Sequence, residues 1–276
     1  MIRFVACAAL LLSSPASAQT STVRFAAFGD YGNGNGAAAV SSLVHAQRPD
    51  FAITVGDNCY GASPGIASQV GNKYGDYVSQ GRFFPALGNH EFDDACGGGN
   101  GASGYKAYFT LPNNERYYEF VRGPVHFFAL NSASDPDGLT SGSRQGRWLR
   151  FRLAASNSPW NIVYFHHANY SSGLHGSTTY MQWPFEQWGA DAVIMGHDHD
   201  YERIMLDSNN DGIPLPHFVT GLGGQSNRAF ATVVNGSAKR YNAGFGALFV
   251  TASSTRLFFD FRNVNNVSVD SYTLSK

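Results

Sequence analysis

Five short blocks of the chain carry side chains that metal ions prefer as ligands. The blocks read Gly29-Asp30-Tyr31-Gly32, Gly56-Asp57-Asn58-Cys59-Tyr60, Gly88-Asn89-His90-Glu91, Val163-Tyr164-Phe165-His166 and Gly196-His197-Asp198-His199. Carboxylate, amide oxygen and imidazole groups suit iron, manganese and zinc. The sequence therefore indicates metal chemistry, with these candidate ligands: Asp30, Asp57, Tyr60, Asn89, His166, His197 and His199.

Apolar runs come before or within these blocks and predict the elements that position them. The runs are Val23–Phe28, Phe51–Val55, Phe83–Leu87, Ile162–Phe165 and Ala192–Met195. Short apolar runs that end at glycine or polar residues are typical of buried strands. Because open α/β folds bind ligands outside the carboxyl ends of their strands, we expect the candidate residues to meet at one sheet edge.

The residue types favour two metal ions at that edge. His197 and His199 lie two residues apart in a short turn and can face different ions, whereas the carboxylate of Asp57 has two oxygens and can bridge both. A phenolate such as that of Tyr60 suits a hard trivalent ion, for which Fe(III) is the natural choice. Two metal ions about 3.5–4 Å apart clamp the attacking and leaving oxygens of a phosphoryl group. The pattern thus predicts phosphoryl chemistry.

The ordered blocks resemble the motifs of the purple acid phosphatase branch of the calcineurin-like metallophosphoesterases. They match from Asp30 to His199, and Tyr60 stands at the position that distinguishes the purple branch. His175 follows His166 by nine residues, a spacing similar to that of the small, mammalian tartrate-resistant type. The resemblance covers residues 23–225 and implies a four-layer α/β/β/α sandwich of two mixed sheets flanked by helices.

The same resemblance implies a role for each candidate residue. Fe(III) would be held by Asp30, Asp57, Tyr60 and His199, and a divalent ion (iron, zinc or manganese) by Asp57, Asn89, His166 and His197. His90 and His175 would contact the substrate and act in acid catalysis. The expected reaction is hydrolysis of small-molecule phosphomonoesters by attack of a metal-bound hydroxide.

Two further functions remain open at this stage. A metal-dependent phosphodiesterase or nucleotide hydrolase would use the same centre and differ at the rim of the pocket. A non-catalytic exported protein that binds a metal or a partner is the other alternative, and the complete ligand set argues against it.

Three other motifs mimic known sites, and each has a weakness. Residues 32–37 fit the glycine pattern of dinucleotide-binding proteins, but this reading leaves the histidine blocks unexplained. Residues 61–65 fit the serine-hydrolase pattern without a strand directly before them. Residues 207–212 open like a calcium loop, but Phe218 occupies the position that requires a bidentate glutamate. A flexible loop and two turns are the preferred interpretations.

The N-terminus and the charge balance predict the cellular setting. Residues 1–18 have the form of a secretory signal peptide, with Arg3, an apolar run through Leu12 and the cleavage pattern Ala16-Ser17-Ala18. The run is too short to span a bilayer of about 30 Å, so we expect no stable membrane anchor. We expect a single metallophosphoesterase domain over residues 19–276, exported to the periplasm or the medium. The chain has 19 basic and 20 acidic residues, which argues against a nucleic-acid partner.

Two cysteines remain after the signal peptide. Cys59 and Cys96 both follow motif strands, so they are expected on the same edge of the molecule. Exported proteins with two cysteines can pair them, and two free thiols are the alternative.

The remaining pattern predicts an α/β protein with a parallel first half and a strand-rich second half. Helices are expected at Ala37–Gln47, Ser143–Ala155 and Met181–Trp188. A hairpin is expected from Arg116–Val121 and Val125–Leu130, and further strands at Glu202–Leu206, His217–Gly221, Phe245–Ala252, Arg256–Phe261 and Val267–Thr273. These elements suggest two sheets packed face to face, with the helices outside.

Overall fold

The computed structural model describes residues 22–61, 65–96 and 101–276. The predicted signal peptide, residues 1–18, and residues 62–64 of the serine motif lie outside the described residues. Within the described ranges, no helix is long and apolar enough to cross a membrane.

The described residues form short strands and four α-helices. In chain order, the strands are β1 (Val23–Phe28), β2 (Phe51–Thr54), β3 (Phe83–Pro85), β4 (Tyr118–Arg122), β5 (Val125–Ala129), β6 (Trp160–His167), β7 (Ala192–Gly196), β8 (Tyr201–Leu206), β9 (Leu215–Thr220), β10 (Ser237–Tyr241), β11 (Gly246–Ala252), β12 (Arg256–Asn263) and β13 (Ser268–Ser275). The helices are α1 (Asn35–Gln47), α2 (Ile66–Ser79), α3 (Ser103–Tyr108) and α4 (Arg144–Ala154). Single 3₁₀ turns occur at His90–Phe92, Asp94–Cys96 and Thr179–Met181.

The strands assemble into two mixed sheets. One sheet has the order β13-β12-β11-β1-β2-β3, and the other has the order β10-β8-β9-β7-β6-β5-β4. The strands that carry the motifs are parallel neighbours. β1 pairs with β2 and β2 with β3 in the first sheet, and β6 pairs with β7 in the second. Their carboxyl ends therefore lie at one edge of each sheet, as the sequence predicted.

An aromatic core holds the two sheets together. Phe127 of the second sheet packs edge-on against Phe25 and Phe51 of the first, with ring centroids 5.0 Å and 5.4 Å apart. Edge-to-face pairs of this kind are favourable beyond the area they bury. Separate apolar clusters lie under α1 and α2 on the first sheet and under α4 on the second. The predicted four-layer α/β/β/α sandwich is confirmed.

Helix α4 shows why the predicted helices form where they do. The Ser143 hydroxyl precedes the helix and accepts a hydrogen bond from the Gly146 N–H at 3.1 Å, which caps the first turn. Leu149 and Leu153, four residues apart, lie on one face and are buried against the second sheet.

One predicted helix is wrong, and several elements were not predicted. Residues 181–188 form no α-helix; a 3₁₀ turn ends at Met181 and irregular turns follow. Pro184 lacks the N–H that a helix interior requires. Helix α2 was missed because Gly71 and Gly75 dilute its pattern. Helix α3, with six residues, and β10, with no fully buried side chain, are too short or too polar to give a signal.

Candidate metal centre

The ends of the motif strands bring every predicted ligand to one place between the sheets. Two strands of each sheet contribute most of them. Asp30 follows β1, Asp57 and Tyr60 follow β2, Asn89 follows β3, His166 lies near the end of β6, and His197 and His199 follow β7.

One group of donor atoms surrounds the phenol of Tyr60. Its Oη donates to Oδ2 of Asp57 at 2.8 Å and lies 3.2 Å from both Oδ1 of Asp30 and Nε2 of His199. Nε2 of His199 is also 3.4 Å from Oδ1 of Asp30. These four side chains are the set that the resemblance assigns to Fe(III).

A second group of donor atoms surrounds Nε2 of His166. This atom lies 3.1 Å from Oδ1 of Asn89, 3.3 Å from Oδ1 of Asp57 and 3.1 Å from Nδ1 of His197. Ligand atoms of Asp57, His166 and His197 all lie within 4.8 Å of one another. These four side chains are the set that the resemblance assigns to the divalent ion.

Asp57 belongs to both groups through different oxygens. Oδ2 faces Tyr60, whereas Oδ1 faces His166. The carboxylate therefore has the orientation that a bridge between two metal ions requires. Oxygen and imidazole donors, crowded at hydrogen-bond distances with the carboxylates buried, fit two cations of the iron, zinc or manganese type.

Neighbouring groups orient the histidines toward this centre. Nδ1–H of His166 donates to the carbonyl oxygen of Val55 at 2.8 Å, and Nδ1 of His199 hydrogen-bonds with the hydroxyl of Ser226. Both contacts leave Nε2 free to face the donor groups. Such hydrogen bonds fix the ring orientation of metal ligands in general.

The electrostatics of the centre favour positive charge. Burial lowers the pKa of His166, but the Asp57 and Asp30 carboxylates raise it to about 10. Burial raises the pKa of Asp57, but His166 and His90 outweigh it and hold that pKa below its ordinary value. Burial, followed by Asp30 and Asp57, raises the pKa of Tyr60 well above its ordinary value. A cation bound beside this phenol would favour loss of its proton.

Three of the predicted ligands have left-handed backbone conformations. The φ angles are +57° for Asp30, +50° for Asp57 and +71° for His197. Residues other than glycine rarely adopt this backbone conformation, and those that do are concentrated at functional sites. The conformation turns each chain sharply after its strand, so that the side chain faces back into the centre.

The two predicted acid catalysts lie at the rim. The His90 ring packs 4.3 Å from the Tyr60 ring, and its Nδ1 bonds to Oδ2 of Asp93 at 2.6 Å. The His175 ring stacks on His197 with centroids 4.2 Å apart. Nε2 of His175 accepts a hydrogen bond from the guanidinium of Arg228. Burial lowers the pKa of His175, Asp198 raises it, and the Arg228 charge lowers it again.

Several residues that shape the centre had no role predicted from the sequence. Glu91 accepts backbone hydrogen bonds from Gly88, Asp57 and Asn58, and so joins two ligand loops. Its place beside Asn89 and His90 was the only signal for it in the sequence. Ser226 and Arg228 gave none, because they lie outside every motif.

The structure pairs Cys59 and Cys96 in a disulfide, with Cα atoms 5.9 Å apart. The disulfide alternative is thus confirmed over two free thiols. The bond joins the loop that carries Asp57 and Tyr60 to the loop that follows Asn89 and His90. Two ligand-bearing loops are therefore linked covalently as well as through Glu91.

Two of the three glycines in residues 32–37, Gly32 and Gly36, lie where a side chain would not fit. A Cβ on Gly36 would overlap the carbonyl oxygen of Gly224 and the ring of Phe245. The segment is therefore pressed against the loop that follows β9. Close packing therefore accounts for Gly32 and Gly36 of the dinucleotide pattern, whereas Gly34 lies in open space.

Comparisons with known proteins agree with the motifs. The family model described as "Calcineurin-like phosphoesterase" matches residues 23–201. Acid phosphatase type 7 of Mus musculus is 27% identical over 245 residues, covering 73% of this chain and 54% of that protein. Purple acid phosphatase 22 of Arabidopsis thaliana is 28% identical over 234 residues, covering 74% and 51% respectively. The chain thus spans about half the length of these curated relatives.

Solved structures with the same fold include a purple acid phosphatase. The enzyme PPD1 from seeds of yellow lupin (Lupinus luteus) superposes with a TM-score of 0.75 at 22% identity, covering 95% of this chain and 55% of that one. GAP50, described as the anchor in the inner membrane complex of Plasmodium, superposes with a TM-score of 0.66 at 17% identity, covering 92% and 89%. These likenesses concern the fold. Because the family model matches more than half of its length, this chain belongs to the calcineurin-like phosphoesterase family.

Proposed function

We propose that this chain is an exported phosphatase that hydrolyses phosphomonoesters at a dinuclear metal centre. The observation that carries the proposal is the convergence of two donor groups that share Asp57. Its membership of the calcineurin-like family and its relatives named acid phosphatases support the same reaction.

The two groups have different chemistry, which supports different metals. Asp30, Asp57 and Tyr60 offer carboxylate and phenol oxygens, hard donors that suit a trivalent ion such as Fe(III). Asn89, His166 and His197 offer neutral donors that suit divalent iron, zinc or manganese. His199 would help to hold the first ion, and Asp57, which faces both donor groups, would contribute to both.

Bound metal ions would offset charge on the phosphate oxygens and lower the pKa of water. The chain's own residues hold the ligands and complete the site. Asp93 fixes the ring of His90, whose Nε2 lies 3.9 Å from Oδ2 of Asp57. His90 is thus positioned to give a proton to the leaving alcohol at the rim. His175, stacked on His197, is the second candidate for contact with the phosphate.

Export is part of the proposal. Residues 1–18 would be removed as a signal peptide, leaving residues 19–276 as one domain. The Cys59–Cys96 disulfide is consistent with an oxidising compartment such as the periplasm or the medium.

A substrate panel on purified, metal-analysed protein tests the proposal. We expect hydrolysis of phenyl phosphate and glycerol phosphate to exceed that of bis(p-nitrophenyl) phosphate and AMP. Asp57→Asn should lose both metal and activity, because it removes the shared carboxylate. The matched control, Asp76→Asn, changes an exposed aspartate on α2.

Each alternative function gives a different result in this panel. Preference for the diester would make the chain a phosphodiesterase. Preference for AMP, itself a phosphomonoester, would make it a phosphatase that selects nucleotides. Metal-loaded protein that hydrolyses none of these compounds would be a binding protein on the same fold, and the proposal would be wrong.

A further inference from the structure

Helix α4 presents a positively charged face to solvent. Its sequence contains four arginines and no acidic residue. Arg144, Arg147 and Arg150 recur at a spacing of three residues and are exposed, so they lie along one side of the helix. The other side carries Leu149 and Leu153, which are buried against the second sheet. Because the whole chain has a formal net charge of −1, this positive charge is a local feature of α4.

Two of the four arginines carry a charge that no carboxylate offsets. The ion pairs that α4 forms within the described residues are Arg144–Asp137 and Arg152–Glu119. Arg147 bonds to the carbonyl oxygen of Gly142, which leaves its charge in place. In the same described ranges, neither Arg147 nor Arg150 has a carboxylate partner. Two such guanidinium groups on one exposed face attract an anionic partner.

Large apolar side chains lie among these arginines. Phe151 is 68% exposed and follows Arg147 by four residues, a spacing that makes side chains neighbours on a helix surface. Val121 of β4 is 49% exposed. It lies on the α4 side of the sheet, because Glu119, two residues earlier on the strand, accepts a hydrogen bond from Arg152 of α4 at 2.8 Å. Helices that bind membrane surfaces combine arginine with phenylalanine in this way, since charged headgroups lie over an apolar layer.

The exposed face of α4 consists of Arg144, Arg147, Arg150 and Phe151. We infer that this face docks reversibly on an anionic lipid bilayer. The arginines meet the phosphate headgroups, and the phenyl ring enters the apolar layer beneath them. A hydrophilic polyanion would match the charge but would leave the ring in water. The contact is made at the membrane surface and needs no spanning helix, of which the described residues contain none.

Docking through α4 leaves the candidate metal centre open to solutes. The helix covers the outer side of the second sheet, whereas the predicted ligands gather between the two sheets. None of the predicted ligands or acid catalysts lies on α4. The inference goes beyond the proposed function and does not require it, because binding to lipid is measured without turnover.

Co-sedimentation with lipid vesicles tests the inference. The protein beginning at residue 19, the form expected after export, is mixed with vesicles of phosphatidylglycerol and phosphatidylcholine or of phosphatidylcholine alone. We expect binding to the anionic vesicles and much weaker binding to the neutral ones. Added salt should weaken binding to the anionic vesicles, because it screens the attraction between arginine and phosphate. Equal binding to both kinds of vesicle, or binding to neither, overturns the inference.

Variants of α4 locate the contact on the protein. Arg147→Gln with Arg150→Gln should weaken binding to anionic vesicles by about 25-fold, because each arginine near an anionic surface contributes about 5-fold. Phe151→Ala should weaken it by about 5-fold, and this loss should persist at high salt because it is not electrostatic. The matched control is Arg240→Gln with Arg256→Gln, which removes the same charge from exposed positions on β10 and β12. It should bind nearly as well as the wild type.

Two results with these variants would contradict docking through α4. An equal loss of binding in the two double variants would show that net charge, and not this face, is responsible. Dextran sulfate, a hydrophilic polyanion, provides the other comparison. If the wild type binds it as tightly as anionic vesicles and Phe151→Ala changes neither affinity, the partner is a polyanion and the inference is wrong.

Discussion

At the scale of single residues, the proposed Fe(III) depends most on Tyr60. Its phenol lies among two carboxylates and an imidazole, and its raised pKa means that the phenol keeps its proton until a cation binds beside it. We expect Tyr60→Phe to abolish a visible charge-transfer band of the oxidised protein while the fold is retained. Absorption spectra with iron analysis and circular dichroism test this. A wild type that binds iron but is colourless would remove Tyr60 from the metal.

His217 is a buried histidine outside the centre, and it should make the protein sensitive to acid. Burial lowers the pKa of His217 to about 3, and its Nδ1 has no hydrogen-bond partner among the described atoms. The unfolded chain takes up this proton near pH 6.5, whereas the folded chain does so only near pH 3. Between these values protonation favours unfolding, and stability falls by about 1.4 kcal/mol per pH unit from this residue.

Replacing His217 tests that linkage. His217→Leu should remove this part of the acid sensitivity, because leucine does not titrate. Urea unfolding of both proteins across a pH series from neutral to mildly acidic should show the wild type losing stability relative to the variant as the pH falls. Parallel stability curves would contradict the prediction.

At the scale of elements, the short segment after β3 controls the position of Asp57. A Cβ on Gly88 would overlap both Oδ1 and the backbone N of Asp57. Gly88→Ala should therefore displace the carboxylate that both donor groups share. We expect metal content and activity to fall together while the secondary structure is retained.

A glycine in open space serves as the control for this substitution. A Cβ added at Gly75 on α2 would meet no described atom within 4 Å beyond the backbone of its own helix, so Gly75→Ala should keep metal and activity. In a helix, alanine is favoured over glycine by roughly 0.5–1 kcal/mol. Metal analysis and thermal unfolding of the two variants test whether a side chain at position 88 displaces Asp57. A Gly88→Ala protein with its full metal content would refute this prediction.

At the scale of the whole molecule, the centre joins the two sheets. Asp30 and Asp57 follow strands of the first sheet, whereas His166, His197 and His199 come from the second. Metal binding should therefore stabilise the sandwich as a unit. At a free metal concentration of about 100 times Kd the gain is about 2.7 kcal/mol. For a protein of this size that corresponds to a Tm change of about 5–10 °C.

Removal of the metal tests this link between the site and the fold. Chelation of the wild type should lower Tm, and readdition of metal should restore it. Asp57→Asn, which lacks the shared ligand, should show little response to either step. Equal Tm values for loaded and stripped wild type, with the loss verified by metal analysis, would show that the centre does not stabilise the sandwich.

Much of the site was predictable because its information is local. Each ligand lies at, or a few residues beyond, the end of a short apolar run, and strand ends of parallel neighbours meet at one edge. Residue type and local order therefore placed Asp57 beside His166, 109 positions later, without knowledge of any contact. The two-sheet sandwich followed from the same strands and from the resemblance.

Elements without a clear local pattern could not be predicted from the sequence. The chain's polar or glycine-rich elements, α2 and β10, are stabilised by tertiary packing and not by their own periodicity, so they were missed. The helix expected at Met181–Trp188 was wrong. Its apolar residues are buried in the core, as a helix would require, but the backbone around Pro184 forms irregular turns.

The sequence by itself determined which side chains can bind metal and at which edge of the fold they gather. Only the tertiary structure decided which oxygen of Asp57 faces each donor group, and that Arg228 bonds to His175 across 53 positions. The physical reason is distance along the chain. Contacts such as these arise from loop conformations and from packing between two sheets, and no short-range pattern encodes them.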